Sequence, residues 1–346
     1  MINLEKEIRE QPETLKRAAE INLPVIRDIV KEAKEKKIHH IYFAARGTSD
    51  HACIYAQYLF GIFAGIPCTL GTPSVFTKYG AHVDLSDMLV IGVSQSGKAE
   101  DVLAVIESAK KDGAVTVALT NNENSPLAEN AKYHLFCGCG HEASIAATKT
   151  FTSQMMILGA LCAVWAGNDA LLDELQKAHL AVDSLLNRHS DEIRNLAKKY
   201  AAINGAVILG RGISYCIALE GALKMLETNK IKMKGYPISD FHHGPIAQLK
   251  KGDVVFVLSP EGKSEDDSEE ICRKLHGVGA DIVFVTDNAS IAPENTTVVE
   301  LPATGSEFTF PYTAAVFFQY LACCMCLEKG IDPDLAGVIN KITITK

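Results

Sequence analysis

Three ionisable side chains on one predicted helix, Glu220, Lys224 and Glu227, are the positions in this sequence best suited to moving a proton. Their i, i+4 and i+7 spacing along Cys216–Thr228 puts them on a single helical face. The remaining positions are mostly Ala, Leu, Gly and Met, as in a buried element. A solvated row of ion pairs and a row lining a cleft both fit that spacing; the rarity of buried lone charges favours the cleft. A second cluster, Asp240-Phe241-His242-His243-Gly244-Pro245, offers two imidazoles that titrate near neutrality on a loop fixed by Gly-Pro. Adjacent histidines are as ordinary on a plain surface, and this pair lacks convincing metal partners. Cys137-Gly138-Cys139-Gly140-His141 has one-residue spacing and no second pair, so no metal site is expected there. From His141 to Lys149 small residues dominate, with Ile145 and Ala147 among them, and Thr148 is the expected N-cap of the helix that follows. Lys341, in an alternating tail from Asn340 to Lys346, has no special role on pattern alone.

Binding chemistry concentrates between Asp87 and Asp101. Met88–Ser94 carries no charge and reads as a strand buried on both faces. Ser94-Gln95-Ser96-Gly97-Lys98 then leads into a helical segment, Ala99–Asp112. First-turn N–H groups, the helix dipole and two hydroxyls together suit an anion such as a phosphate. Capping of the helix by Ser94 and Ser96 is the competing reading.

The elements that must position these groups alternate regularly. Helices are expected at Asn3–Ala19, Leu23–Lys36, His51–Ala64, Thr148–Gly167 and Asp169–Arg188, with Ser49 or Asp50 capping the third. Strands are expected at His40–Ala45, Pro67–Leu70 (an edge), Val115–Thr120 and Tyr133–Phe136. That alternation predicts a parallel sheet covered by helices on both faces. The pattern then recurs. Arg46-Gly47 aligns with Arg211-Gly212, and the loop at Ser94 with Ser259-Pro260-Glu261-Gly262-Lys263, both at an offset of 165 residues. Gly113-Ala114 and Gly279-Ala280 follow at 166. The chain therefore reads as two copies of one α/β domain. The expected division is a helical segment over 1–27, a first domain over 28–167, linker helices over 168–200, a second domain over 201–334 and a tail over 335–346. Proline and glutamate in the second loop remove a donor and repel an anion, so only the first copy keeps a phosphate cradle.

Composition narrows the class. The 346 residues are 47% hydrophobic and carry a net charge of −8, with no basic run, which argues against binding to nucleic acid or an anionic membrane. Met155–Gly167, read as the longest apolar stretch, is too short to span a bilayer. Ten cysteines in apolar settings and a charged, helical N-terminus point to reduced thiols and a cytoplasmic setting.

Taken together, R-G-T-S-D-H-A, S-Q-S-G-K, A-A-T-K-T-F, E-G-A-L-K-M-L-E, H-H-G-P and N-K-I-T-I-T resemble, in order, the tandem sugar isomerase (SIS) domain family. The similarity is to the isomerase half of glucosamine-6-phosphate synthases and to stand-alone glucosamine-6-phosphate deaminases, and it covers about residues 20–346. It implies two flavodoxin-like αβα sandwich domains. It also implies a sugar phosphate held by Ser94, Gln95 and Ser96, with Gly47, Thr48 and Ser49 nearby. Glu227 matches the enolisation base, and Lys224 lines the same cleft. His243 matches a ring-opening histidine contributed by a neighbouring subunit, and Lys341 a terminal lysine that contacts the open-chain sugar. A homodimer with shared sites follows, and no cofactor is expected. Three departures bear on sugar specificity: Lys98-Ala99 stands for Glu-Thr, Ala147 for Ser and Gly337 for Arg. Lys98 is positioned to replace the lost threonine contact with a charge.

The synthases' N-terminal glutaminase domain has no counterpart before Ile2, so release rather than capture of nitrogen is the expected direction. The expected activity is an aminosugar-phosphate deaminase/isomerase, converting glucosamine 6-phosphate to fructose 6-phosphate and ammonia. The alternatives are a deglycase acting on fructosamine 6-phosphates and a sugar-phosphate sensor without turnover.

Overall fold

The computed structural model describes residues 2–303 and 305–335. Two compact units form, one from Glu13–Glu142 and Lys149–Gln176, the other from the described residues of 2–12, 143–148 and 177–335. The first unit holds the parallel sheet β1 (Ile41–Ala44), β2 (Cys68–Leu70), β3 (Leu89–Val93), β4 (Val115–Thr120) and β5 (Tyr133–Phe136), in the order β2-β1-β3-β4-β5. The second unit holds β6 (Gly205–Gly210), β7 (Lys232–Pro237), β8 (Val254–Leu258), β9 (Asp281–Thr286) and β10 (Thr297–Glu300), in the order β10-β9-β8-β6-β7. Both are the doubly wound 2-1-3-4-5 arrangement that the alternation of elements predicts.

Thirteen α-helices are present among the described residues. In the first half they are α1 (Asn3–Arg9), α2 (Gln11–Glu35), α3 (Thr48–Leu59), α4 (Ser74–Thr77), α5 (Glu100–Lys111), α6 (Pro126–Asn130) and α7 (Lys149–Ala166). There follow α8 (Asp169–Arg188), α9 (Ser190–Tyr200), α10 (Tyr215–Asn229), α11 (Ile238–His242), α12 (Glu265–Val278) and α13 (Phe310–Glu328). β1, β3, β4 and β8 are buried along their whole length, because helices cover both faces. On one face of the first sheet Val90 and Ala118 pack against Val102, Val105 and Ile106 of α5. Val255, Val257 and Phe284 meet Ile271 and Leu275 of α12 in the same way. Each such aliphatic side chain contributes about 1.5–3 kcal/mol of burial.

The repeat extends to single bonds. Arg46 Nε donates to Asp101 at 2.7 Å, and Arg211 Nε to Asp267 at 3.1 Å. The Thr120 hydroxyl exchanges two hydrogen bonds with the Asn122 backbone, and Thr286 repeats this with Asn288.

Several boundaries differ from the sequence reading. The chain breaks at Glu10 and then continues as one helix through Pro24. Pro24 forfeits only its own N–H bond, and the Asn22 side chain pins this stretch to both backbone groups of Phe136 at the end of β5. The helix expected to end at Ala64 finishes as a π-helical turn, Phe60–Ala64. The uncharged run 308–327 is longer than the apolar stretch Met155–Gly167 read from the sequence. α13, inside it, is long and apolar enough to cross a membrane, yet 94% of its most apolar window is buried among the unit's own elements, α9 and α10 included. The ten cysteines are unpaired, and burial pushes the Cys68 and Cys162 thiols up to about 12.

α10 presses directly on β7. A Cβ at Gly235 would stand 2.3 Å from the Ala218 carbonyl oxygen. Gly235→Ala is therefore expected to cost about 1–3 kcal/mol. A melting temperature lowered by about 2–4 °C per kcal/mol will report it; an unchanged value contradicts this packing.

Candidate functional site

In a 2-1-3-4-5 sheet the chain leaves the first and third strands toward opposite faces, opening a crevice at their carboxyl ends. In the first unit that crevice lies between the loops after β1 and β3. Gly47 takes φ 55° and ψ −129°, and as N-cap of α3 it supplies no side-chain hydrogen bond. The helix thus begins at Thr48, with Ser49 and Asp50 in its first turn rather than at the cap. Burial pushes the Asp50 carboxyl up, against the pull of His51 and Arg46.

Across the crevice, the Gly97 N–H donates to the Ser94 carbonyl and hydroxyl oxygens, both at 3.2 Å, and the Lys98 N–H donates to the Ser96 hydroxyl at 3.3 Å. Gly97 has φ +64° and is so enclosed that a Cβ would meet Ser125 Oγ at 2.1 Å. α5 starts two residues beyond Lys98, with Ala99 at its N-cap and no side-chain cap. Neither serine caps the helix, which overturns that alternative; the hydroxyls brace the loop instead. Among the described residues, no protein group accepts from the Gln95 or Ser96 N–H. A cleft of about 380 Å³ adjoins this loop, lined by Gln95, Ser96, Lys98, Asn121, Asn122, Gly140, His141 and Glu142. The sequence reading missed Asn121, Asn122 and His141 as lining residues. The position of Asn121 directly after β4, the neighbour of β3, was the available signal.

The second unit fills the same position with its own carboxylates. The Glu261 N–H donates to Asp287 at 2.8 Å and the Gly262 N–H to Glu265 at 2.6 Å. Pro260 has no N–H to offer.

The proton-moving candidates sit on α10 of the second unit. Lys224 Nζ lies 3.3 Å from Glu220 and 2.7 Å from Glu227. Lys224 and Glu220 are buried, whereas the Glu227 side chain keeps 20% of its exposure. The row is not a solvated face, because α10 is packed against α13 and β7. Burial alone would lower the Lys224 pKa, but the two carboxylates outweigh it and the net shift is upward.

His243 is exposed at the end of α11, which packs against α12 and brings His242 to within 3.2 Å of Lys274. Glu227 is on α10, which packs against α13 and β7. Ile145 and Ala147 are half-buried in the loop before α7; the Glu7 carboxylate accepts from the N–H groups of Ala143 and Ser144 there. The first turn of α7 is held by Glu142, which accepts from the Thr150 N–H and hydroxyl. Lys341 and Gly337 lie outside the described residues. Among those described, no group of three or more His, Cys, Asp or Glu is arranged to hold a metal ion.

The fold defines a tandem, doubly wound α/β protein with an open loop at one switch point and a self-filled loop at the other. The chain belongs to the SIS domain family, whose model matches residues 36–164 and 199–328, one match for each sheet. The resemblance carried by the motifs is thereby borne out. The chain is 32% identical over 337 residues to the isomerizing glutamine–fructose-6-phosphate aminotransferase of Thermococcus kodakarensis, covering 95% of this chain and 56% of that one. It thus spans about half the length of that relative. The C-terminal domain of glucosamine-fructose-6-phosphate aminotransferase from Francisella tularensis superposes with a TM-score of 0.88 at 26% identity, covering 97% of this chain and 98% of that one. Glucosamine-6-phosphate deaminase from Thermotoga maritima shares the fold, with a TM-score of 0.76 at 22% identity, covering 99% and 100%.

Lys224→Met strips the ammonium from two closely placed carboxylates and is expected to cost about 3–5 kcal/mol. The sign with pH follows from the raised pKa. The contribution is complete below the ordinary lysine value of 10.5 and is lost as pH climbs through the higher folded-state value. Thermal melts of both proteins at pH 7 and pH 11 test this; equal stability at pH 7 contradicts it.

Proposed function

We propose that this protein is an aminosugar-phosphate isomerase/deaminase that converts glucosamine 6-phosphate and water to fructose 6-phosphate and ammonia. The observation that carries the reading is the Glu227 carboxylate, partly exposed and 2.7 Å from a buried ammonium on an otherwise apolar helix. That arrangement offers a carboxylate for general-base work and places a cation where negative charge develops. The open loop of the first unit supports the binding half of the reading, and aminosugar phosphates appear in the names of the F. tularensis and T. maritima relatives.

In this mechanism Gln95 and Ser96 give backbone N–H groups, and Ser94, Ser96, Thr48 and Ser49 hydroxyls, to the phosphate; Lys98 adds charge at the rim. With the sugar ring open, Glu227 removes the C2 proton, and a proton from the substrate's own ammonium group passes to O1, so the C1 aldehyde becomes the hydroxyl of an enolamine. The same carboxyl returns the proton to C1, leaving a ketose imine at C2. Water adds to that imine and ammonia leaves, so atoms balance without a redox partner. Lys224 holds Glu227 in place and stabilises the intermediate's negative charge. Ring opening falls to His243 of a second copy, the role the family resemblance gives it. Lys341 contacts the open-chain sugar.

Purified protein given millimolar glucosamine 6-phosphate should release ammonia and hexose phosphate in equal amounts. Glu227→Gln should lower kcat at least about 100-fold while leaving phosphosugar binding nearly intact. Ser96→Ala should instead raise KM about tenfold, the effect of one hydrogen bond to a charged group. Release of neither product sinks the proposal, and turnover confined to fructosamine 6-phosphates replaces it with a deglycase.

A further inference from the structure

α5 brings a difficulty to an anion site. Its first turn carries Glu100 and Asp101, and Asp101 is 2% exposed, so water does little to screen its charge. α3 contributes a second mostly buried carboxylate, Asp50, from the opposite bank. Two carboxylates at two helix N-termini oppose the potential that makes such ends attractive to phosphate. Arg46 stands between these banks. Its Nε donates to Asp101 at 2.7 Å, its charge also acts on Asp50, and its side chain keeps 49% of its exposure. The next residue is Gly47, whose left-handed conformation starts α3. Other charged or titratable groups at this crevice are Lys98, His51 and exposed Glu100, with His141 and Glu142 lining the adjoining cleft.

We propose that Arg46 serves the phosphate loop as a charge screen, cancelling the buried Asp101 charge, rather than as a brace that fixes the β1 loop against α5. The proposal rests on the reading of this crevice as the phosphate site. The second unit supplies a control within the same chain. Arg211 and Asp267 make the same bond at 3.1 Å, but Asp267 is 39% exposed and Tyr215 stands where the first half has Asp50. The loop beside that pair is already filled by Asp287 and Glu265. There the pair serves the fold alone.

A brace and a charge screen predict opposite signs for Asp101→Asn. A brace loses its ion pair and binding weakens; a screen loses the repelling charge and binding holds or tightens. Titration calorimetry of the full chain with inorganic phosphate and with glucosamine 6-phosphate decides between them. Arg46→Ala should weaken both ligands about thirtyfold, Arg46→Lys should recover most of that, and Arg46→Ala/Asp101→Asn should return to within about fivefold of wild type. Where turnover is present, the Arg46→Ala loss should fall on KM, with kcat within about threefold. Arg211→Ala should bind as wild type does. Wild-type affinity in Arg46→Ala, or weaker binding in Asp101→Asn at an unchanged melting temperature, overturns the proposal. If Arg46→Ala does not fold, Asp101→Asn alone carries the decision. A wild-type protein that binds neither ligand removes the phosphate reading itself, a separate failure.

Discussion

A backbone N–H at the end of a parallel strand needs an acceptor, and much of this protein follows from how each half provides one. The connection that leaves each central strand forms a tight loop whose donors converge on the crevice. In the second half the chain answers with Asp287 and Glu265, and the loop is complete in itself. In the first half the hydroxyl oxygens of Ser94 and Ser96 accept from the Gly97 and Lys98 N–H groups, and among the described residues the N–H donors of Gln95 and Ser96 have no protein acceptor. Two copies of one fold thus differ, through a few residues, in which loop donors are already taken by an internal carboxylate.

The second unit's chemistry depends on a different economy. A buried ammonium is tolerated only beside compensating charge, and Glu220 and Glu227 supply it at 3.3 and 2.7 Å. Because Glu220 is fully enclosed and Glu227 is not, the row is graded, and only its outer carboxylate meets solvent or a ligand. The apolar remainder of α10, pressed on α13 and β7, fixes that gradient.

Much of this was legible in the sequence because strong periodicity and repetition are local signals. β4, β5 and α8 match their expected limits, and the constant offset between halves revealed the duplication before any contact was known. What escaped had tertiary causes. Pro24 looks like a boundary in one dimension, yet Asn22 holds the helix against β5 from far along the chain. The serines of the 94–98 loop look like helix caps, but the turn ends before α5 begins. His141 stood in the sequence only in a Cys-Gly-Cys-Gly-His stretch without metal partners, and it lines the cleft because Gly140 beside it accepts from Asn121 just after β4.

The sequence by itself determined the doubly wound architecture, its repetition, the family and the residue types available for phosphate binding and proton transfer. These depend on hydrophobic period, turn residues and ordered motifs, all of which are local. Only the tertiary structure decided which charges are buried, which N–H groups are already taken and which candidates share a place. Glu220, Lys224 and Glu227 proved to be a largely enclosed row rather than a solvated one, and His243 proved to end α11, packed on α12, while Glu227 belongs to α10, packed on α13 and β7. Burial and pairing are properties of neighbours remote in the chain, and spacing along one element carries no record of them.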